Sequence, residues 1–171
     1  MPDTPQVDSI EVAEDMEFQR TSWRVQRAGW IVMLAAVVAA ILGLFGQGPL
    51  AAGHAGGATA GFSVDFERFA RLTAPQSLDI EIWPKARTTD STASIWLDRD
   101  WLDAHEVSSI LPEPESMSLQ PDRVLYAFSA PASGVPLRIR FRLEAREFGR
   151  IEGRAGVPGG PSYSFKQLVY P

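Results

Sequence analysis

The sequence predicts a single transmembrane helix followed by an all-β domain, an antiparallel β-sandwich of the immunoglobulin-like type. First, an uncharged apolar run covers 28–46, where roughly 19 residues make a helix of about 28 Å, close to the roughly 30 Å hydrocarbon core of a bilayer. Second, short β-branched or aromatic runs follow residue 62, separated by turn residues about every 8 to 12 positions. Third, this part of the chain contains no helical pattern long enough for a βαβ crossover.

Four segments follow from these patterns. We predict a cytoplasmic tail with a juxtamembrane helix at 1–27, a transmembrane helix at 28–46, a flexible linker at 47–61 and a periplasmic β-sandwich domain at 62–171. The linker is predicted because its Gly/Ala-rich sequence has no periodicity, and its mean reach as a coil is about 20 Å.

The orientation of the span follows from its flanking charges. Arg residues crowd the N-terminal flank, and no Lys or Arg follows the span before Arg68, so the positive-inside rule predicts a cytoplasmic N-terminus and an exported C-terminal domain. The predicted membrane-interface residues are Arg20, Trp23, Arg24, Arg27 and Trp30. A cleaved signal peptide is the alternative, but the residues before the span include six acidic side chains and the apolar run exceeds a usual h-region.

Small residues recur every fourth position within the span, at Ala35, Ala39 and Gly43. Such a stripe lets helix backbones approach closely in lipid, so it predicts a helix-packing face. The alternative is that the Ala-rich composition of the span produces the stripe by itself.

The β domain is predicted to contain eight strands. They cover 62–72, 77–83, 92–98, 106–111, 123–130, 136–146, 149–156 and 162–170. The strictest alternation, at 137–143, places four apolar side chains on one face and Arg138, Arg140 and Arg142 on the other. This Arg strip is a possible partner surface, but Asp79 and Glu81 would neutralise it if their strand lies alongside.

Composition and motifs exclude several function classes. The chain has no Cys and a pI near 5.0, which excludes disulfides and Cys-ligated metals and gives no footprint for nucleic acid. The acidic segment 98–106 begins with a predicted helical turn capped by Asp98 and lacks the Gly and Glu of a calcium loop. His105 is the only His after the predicted linker. No nucleophile elbow or phosphate-binding loop is present, so we expect no catalytic residues, cofactors or metal.

Three strings in the chain resemble a group of uncharacterised single-span bacterial inner-membrane proteins with a periplasmic β-sandwich domain. They are WRVQRAGW at 23–30, LGLFGQGPL at 42–50 and SFKQLVYP at 164–171. This resemblance implies the topology and no particular activity. More loosely, the domain is similar to periplasmic accessory proteins of membrane enzymes such as copper-delivery factors, whose Cys ligands this chain lacks.

The sequence therefore leads us to expect a non-enzymatic accessory or interaction protein of the bacterial inner membrane. Its expected partners are the lipid bilayer and either a larger integral membrane protein or a second copy of the chain. The alternatives are a periplasmic ligand- or lipid-binding module and, third, a membrane-tethered hydrolase with an unrecognised site.

Overall fold

The structure is a computed structural model that describes residues 16–42, 50–87, 89, 91–131 and 134–171. The chain divides into two compact units, Met1–Val38 and Ala39–Pro171. In the first, helix α1 (Met16–Leu42) continues four residues into the second unit, and its portion Thr21–Leu42 is long and apolar enough to cross a bilayer. Helix α1 therefore starts well before residue 28, where the predicted span begins. The last residues of the predicted span, 43–46, lie outside the described residues.

The second unit is built almost entirely from β-strands. Within the described residues they are β1 (Ala52–Gly57), β2 (Phe62–Glu67), β3 (Phe69–Arg71), β4 (Pro75–Ile82), β5 (Thr92–Asp98), β6 (His105–Leu111), β7 (Ser116–Leu119), β8 (Arg123–Ser129), β9 (Leu137–Ala145), β10 (Gly149–Gly156) and β11 (Ser162–Tyr170). A single α-helical turn, α2 (Arg99–Asp103), joins β5 to β6, and a 3-10 turn covers Pro84–Ala86.

These strands form two sheets. One has five strands in the order β1-β2-β4-β9-β6, and the other has six in the order β3-β11-β10-β5-β8-β7. All pairs are antiparallel except β3, which runs parallel to β11. The inward faces of both sheets contribute to one hydrophobic core, which is the arrangement of a β-sandwich. The all-β prediction is thereby confirmed.

Alternation explains why the central strands lie where the sequence predicts them. Along β9, the side chains of Leu137, Ile139, Phe141 and Leu143 are buried and the Arg side chains between them are exposed. Every predicted strand segment contains an observed strand. The segment 62–72 differs in detail, because it holds two strands: β2 belongs to the five-stranded sheet and β3 crosses to the edge of the other.

The predicted flexible linker at 47–61 is wrong from Ala52 onward, and its first residues, 47–49, lie outside the described residues. Residues Ala52–Gly57 form β1, which pairs along its whole length with β2. Position 53 requires Gly, because the ring of Phe66 occupies the space that a Cβ atom would take. The β domain consequently begins at about residue 51 instead of 62.

Two further details of the loops differ from expectation. Strand β7 has no predicted counterpart, because its short sequence Ser-Met-Ser-Leu is exposed at every position and gives little pattern. The predicted cap at α2 is also absent, since the side chain of Asp98 makes no capping hydrogen bond. It accepts a hydrogen bond from Arg154 Nε at 3.2 Å instead.

Candidate interaction surfaces

The predicted membrane-interface residues lie on α1, where Trp23 and Trp30 are 57% and 62% exposed. The guanidinium of Arg27 stacks over the Trp23 ring at 4.0 Å from its centroid, so cation and indole form one amphipathic unit. Arg24 is exposed on the same helix, and Arg20 lies in it with a side chain outside the described part.

The small-residue stripe on α1 stays a prediction. Ala35 is exposed and Ala39 is half-buried, but Gly43 lies outside the described residues.

The Arg strip on β9 meets the acidic residues of β4. The register places Arg138 opposite Glu81 and Arg140 opposite Asp79. Arg138 Nε lies 2.5 Å from Glu81 Oε1, and Arg140 donates two hydrogen bonds to Asp79, of 2.6 and 3.2 Å. The hydrogen bond to Asp79, followed by its charge, raises the pKa of Arg140. These two Arg are therefore paired with the acids of β4 on the sheet surface, which is the alternative that the sequence also allowed.

Arg142 differs from the other two members of the strip. It is exposed and lies opposite Ser77 of β4 and Ser109 of β6, and no ion pair to it is found among the described residues. The Arg strip as a possible partner surface stays a prediction, with Arg142 as its member that has no ion pair among the described residues.

Asp65 of β2 lies directly opposite Asp79 of β4, which places two like charges in one cross-strand pair. His54 of β1 compensates the first of them, because its Nδ1 lies 2.6 Å from Asp65 Oδ1. The hydrogen bond with Asp65, and then the charge of Asp65, raise the pKa of His54. Around these pairs, the outer face of the five-stranded sheet is thus charge-compensated.

Glu67 lies on the same sheet, half-buried. Burial raises the pKa of its carboxyl group, against a weak hydrogen bond from the Ser77 backbone N–H at 3.4 Å. The carboxylate therefore loses hydration without gaining a strong hydrogen-bond partner. Burial consequently destabilises its ionised form.

A buried polar cluster connects the two sheets around His105. The ring nitrogens of His105 lie 2.6 Å from the carbonyl oxygen of Trp101 and 3.0 Å from Gln167 Oε1. Gln167 in turn donates from Nε2 to the carbonyl oxygen of Glu67 at 2.9 Å and to the side-chain oxygen of Gln76. No sequence pattern predicts this cluster, because its members come from five separate elements, β2, β4, α2, β6 and β11.

This cluster has a structural role. Both ring nitrogens of His105 are engaged, and its ring packs on that of Trp101 with centroids 4.3 Å apart. A hydrogen-bonded polar core of this kind orients the two sheets relative to each other. Over the described part of the chain, no group of three or more His, Asp or Glu side chains is placed to hold a metal ion.

Strand β7 carries a different kind of surface. Met117 and Leu119 are 66% and 65% exposed, although they pair with the core residues Tyr126 and Val124 of β8 and so lie on the inward side of the sheet. They are exposed because β7 is the outermost strand of its sheet. Leu111, at the end of β6, is also more than half exposed.

The backbone of β7 is also open on one side. Gln120 N–H donates to the Arg123 carbonyl at 2.9 Å, and the alternation of an antiparallel ladder then directs the main-chain groups of Met117 and Leu119 away from β8. An edge strand with free backbone groups and exposed apolar side chains is able to pair with another extended segment.

Comparison with known proteins adds no family to these observations: no family model matches the chain, and no curated protein sequence matches it.

Proposed function

We propose that this protein is a non-enzymatic, membrane-anchored interaction protein of the bacterial inner membrane, whose β-sandwich domain stands at the periplasmic face and binds a larger integral membrane partner. The apolar length of Thr21–Leu42 supports the anchor. Arg20, Arg24 and Arg27 precede the uncharged run at 28–46, and no Lys or Arg follows that run before Arg68, which supports a cytoplasmic N-terminus.

The strand order supports an immunoglobulin-like domain, a fold often used for protein contacts. In a constant-type immunoglobulin domain, strands A, B, E and D form one sheet and C, F and G the other. Here β2, β4, β9 and β6 follow the first order, and β5, β10 and β11 follow the second. The β7–β8 hairpin is an addition beside β5, and β1 is an addition beside β2.

The β7 edge is the observation on which the proposed interaction depends. It combines unpaired main-chain groups with the exposed side chains of Met117 and Leu119. The connection that precedes it contains exposed Glu113 and Glu115. A matching partner segment is extended, apolar where it covers β7, and basic at its end, so that it adds a strand to the sheet.

The test is capture of the native partner from gently solubilised membranes, read by mass spectrometry. We expect a stoichiometric integral membrane protein with the unaltered chain, and its loss with the double variant Met117→Ser, Leu119→Ser. Leu119→Pro should have the same effect, because it removes an outward amide donor and leaves the Gln120 hydrogen bond in place.

The double variant Arg138→Ala, Arg142→Ala is the matched control, since both side chains are exposed on the other sheet. It should capture the partner normally. Equal capture by all variants would contradict a role for β7, and a co-purifying lipid or small molecule with no partner protein would favour the ligand-binding alternative.

A further inference from the structure

A surface of exposed basic and apolar side chains lies on the outer face of the six-stranded sheet and continues around its end. Leu168 of β11 is 48% exposed and pairs with the half-buried Phe69 of β3. Phe148, in the turn between β9 and β10, is 74% exposed. We call these three residues, together with the cations around them, the β3–β11 surface.

The cations of this surface outnumber its acids. Arg68, Arg71, Arg150 and Lys166 are all exposed there. Glu152 is the acid between the last two, 3.3 Å from Arg150 Nε and 3.2 Å from Lys166 Nζ, so one carboxylate compensates two cations.

The remaining charges nearby do not reverse this balance. Glu147 is exposed beside Phe148, and Arg146 is paired with Glu106 at 2.9 Å. The β3–β11 surface is therefore net positive, although residues 28–171 carry a net charge of −2 once the −3 of the N-terminal 27 residues is taken from the total of −5.

The surface also contains a groove. Its volume is about 500 Å³, and its walls include Phe66, Phe69, Phe165 and Leu168, with cations at the rim. Proteins bind to the surface of anionic bilayers by a combination of two contacts. Apolar side chains insert at the acyl boundary, and the surrounding Lys and Arg side chains reach the lipid phosphates.

The chain joins the domain at this same surface. Arg68 N–H donates to the Ala51 carbonyl at 2.6 Å, and Leu168 N–H donates to the Arg68 carbonyl at 2.8 Å. Only residues 43–50 separate α1 from Ala51, and even a fully extended segment of that length spans no more than about 30 Å.

We propose that the β3–β11 surface docks on the anionic phospholipid headgroups of the membrane in which the chain is anchored, with Phe148 and Leu168 at the acyl boundary. This inference rests on the proposed anchoring of α1. It leaves the edge of β7, at the opposite side of the six-stranded sheet, directed away from the bilayer and open to a partner.

The test uses the full chain reconstituted in vesicles. Because the chain contains no Cys, Phe148→Cys carries a single environment-sensitive fluorophore, and Ala58→Cys, in the exposed turn at the other end of β1, is the matched control. Quenching by lipids labelled near the headgroup is compared between phosphatidylcholine vesicles and vesicles that contain 30% phosphatidylglycerol.

We expect quenching at position 148 to increase in the anionic vesicles and to fall again at high salt, and quenching at position 58 to stay low. Replacing Arg71, Arg150 and Lys166 by Gln should lower the docked-to-undocked ratio by about fivefold for each residue. The pair Arg138→Gln, Arg142→Gln on the other sheet should leave it unchanged.

Equal quenching at the two positions, or quenching that is independent of phosphatidylglycerol, would overturn the proposal. The partner-capture experiment on β7 is done in detergent without a bilayer surface, so failure of lipid docking and failure of the proposed interaction function give different results. If the three-residue variant loses the membrane partner in detergent, the surface binds an acidic protein and not lipid.

Discussion

Phe141 and Arg140 are adjacent on β9 but lie on opposite faces of the sheet. Phe141 is fully buried and contacts Tyr126 edge-on, with ring centroids 5.4 Å apart. We expect Phe141→Ala to lower the free energy of unfolding by roughly 3–5 kcal/mol, since it removes a buried ring and leaves a cavity.

Arg140→Ala is the natural control for that substitution. Its ion pair with Asp79 is solvent-exposed, so the loss should be much smaller than that for Phe141→Ala. Urea unfolding of the isolated domain, residues 51–171, measures both values. Similar losses at the two positions would show that the burial of β9 is not what stabilises the sheet.

The His54–Asp65 pair makes stability depend on pH. The pKa of His54 is raised in the folded state, first by its hydrogen bond to Asp65. The folded state therefore binds the proton more tightly than the unfolded chain, so the stabilisation is complete below the unfolded value of about 6.5 and is lost as the pH rises through the raised pKa.

We consequently expect His54→Gln to destabilise the domain more at pH 5.5 than at pH 8.5. The difference should be small, because the pair is exposed. Urea midpoints of both proteins at the two pH values measure it, and a loss that is equal or larger at pH 8.5 would contradict the sign of the coupling.

At the scale of elements, β1 decides where the independently folding unit begins. The sequence predicts a β domain that begins at residue 62, but β1 pairs with β2 along six residues and covers its edge. A fragment 61–171 exposes the backbone of β2 and loses the Ala51–Arg68 hydrogen bond.

We therefore expect fragment 51–171 to be soluble and mainly β by circular dichroism, and fragment 61–171 to melt at least about 5 °C lower and to aggregate more readily. A fragment with residues 52–57 replaced by a Gly/Ser linker separates chain length from strand pairing. If all three fragments have the same melting temperature, β1 contributes nothing to the stability of the sandwich.

At the scale of the whole molecule, the membrane topology decides whether the β domain lies in the periplasm or in the cytoplasm. We expect the Arg residues on the N-terminal flank to stay in the cytoplasm. A reporter that is active only in the periplasm should therefore work when fused after Pro171 and fail when fused before Met1. The opposite pattern would place the β domain in the cytoplasm and exclude the proposed docking to the outer leaflet.

The helix and the central strands could be predicted because their signals are local. A long apolar run and a period-2 alternation are readable within one segment, since each describes how that segment divides its side chains between two environments. The pairing of Arg138 and Arg140 with acids of β4 was one of two alternatives in the sequence, and only the register of β4 against β9 decided it.

The sequence alone determined the apolar helix, the all-β composition and the buried face of β9, because these depend on the chemistry of consecutive residues. The tertiary structure decided that a Gly/Ala-rich segment is strand β1, that β7 is an exposed edge, that His105 is held by Gln167, and that Phe148 and Leu168 share a basic surface. Each of these depends on which distant strand lies alongside, and a pairing between distant segments leaves no periodicity in either one.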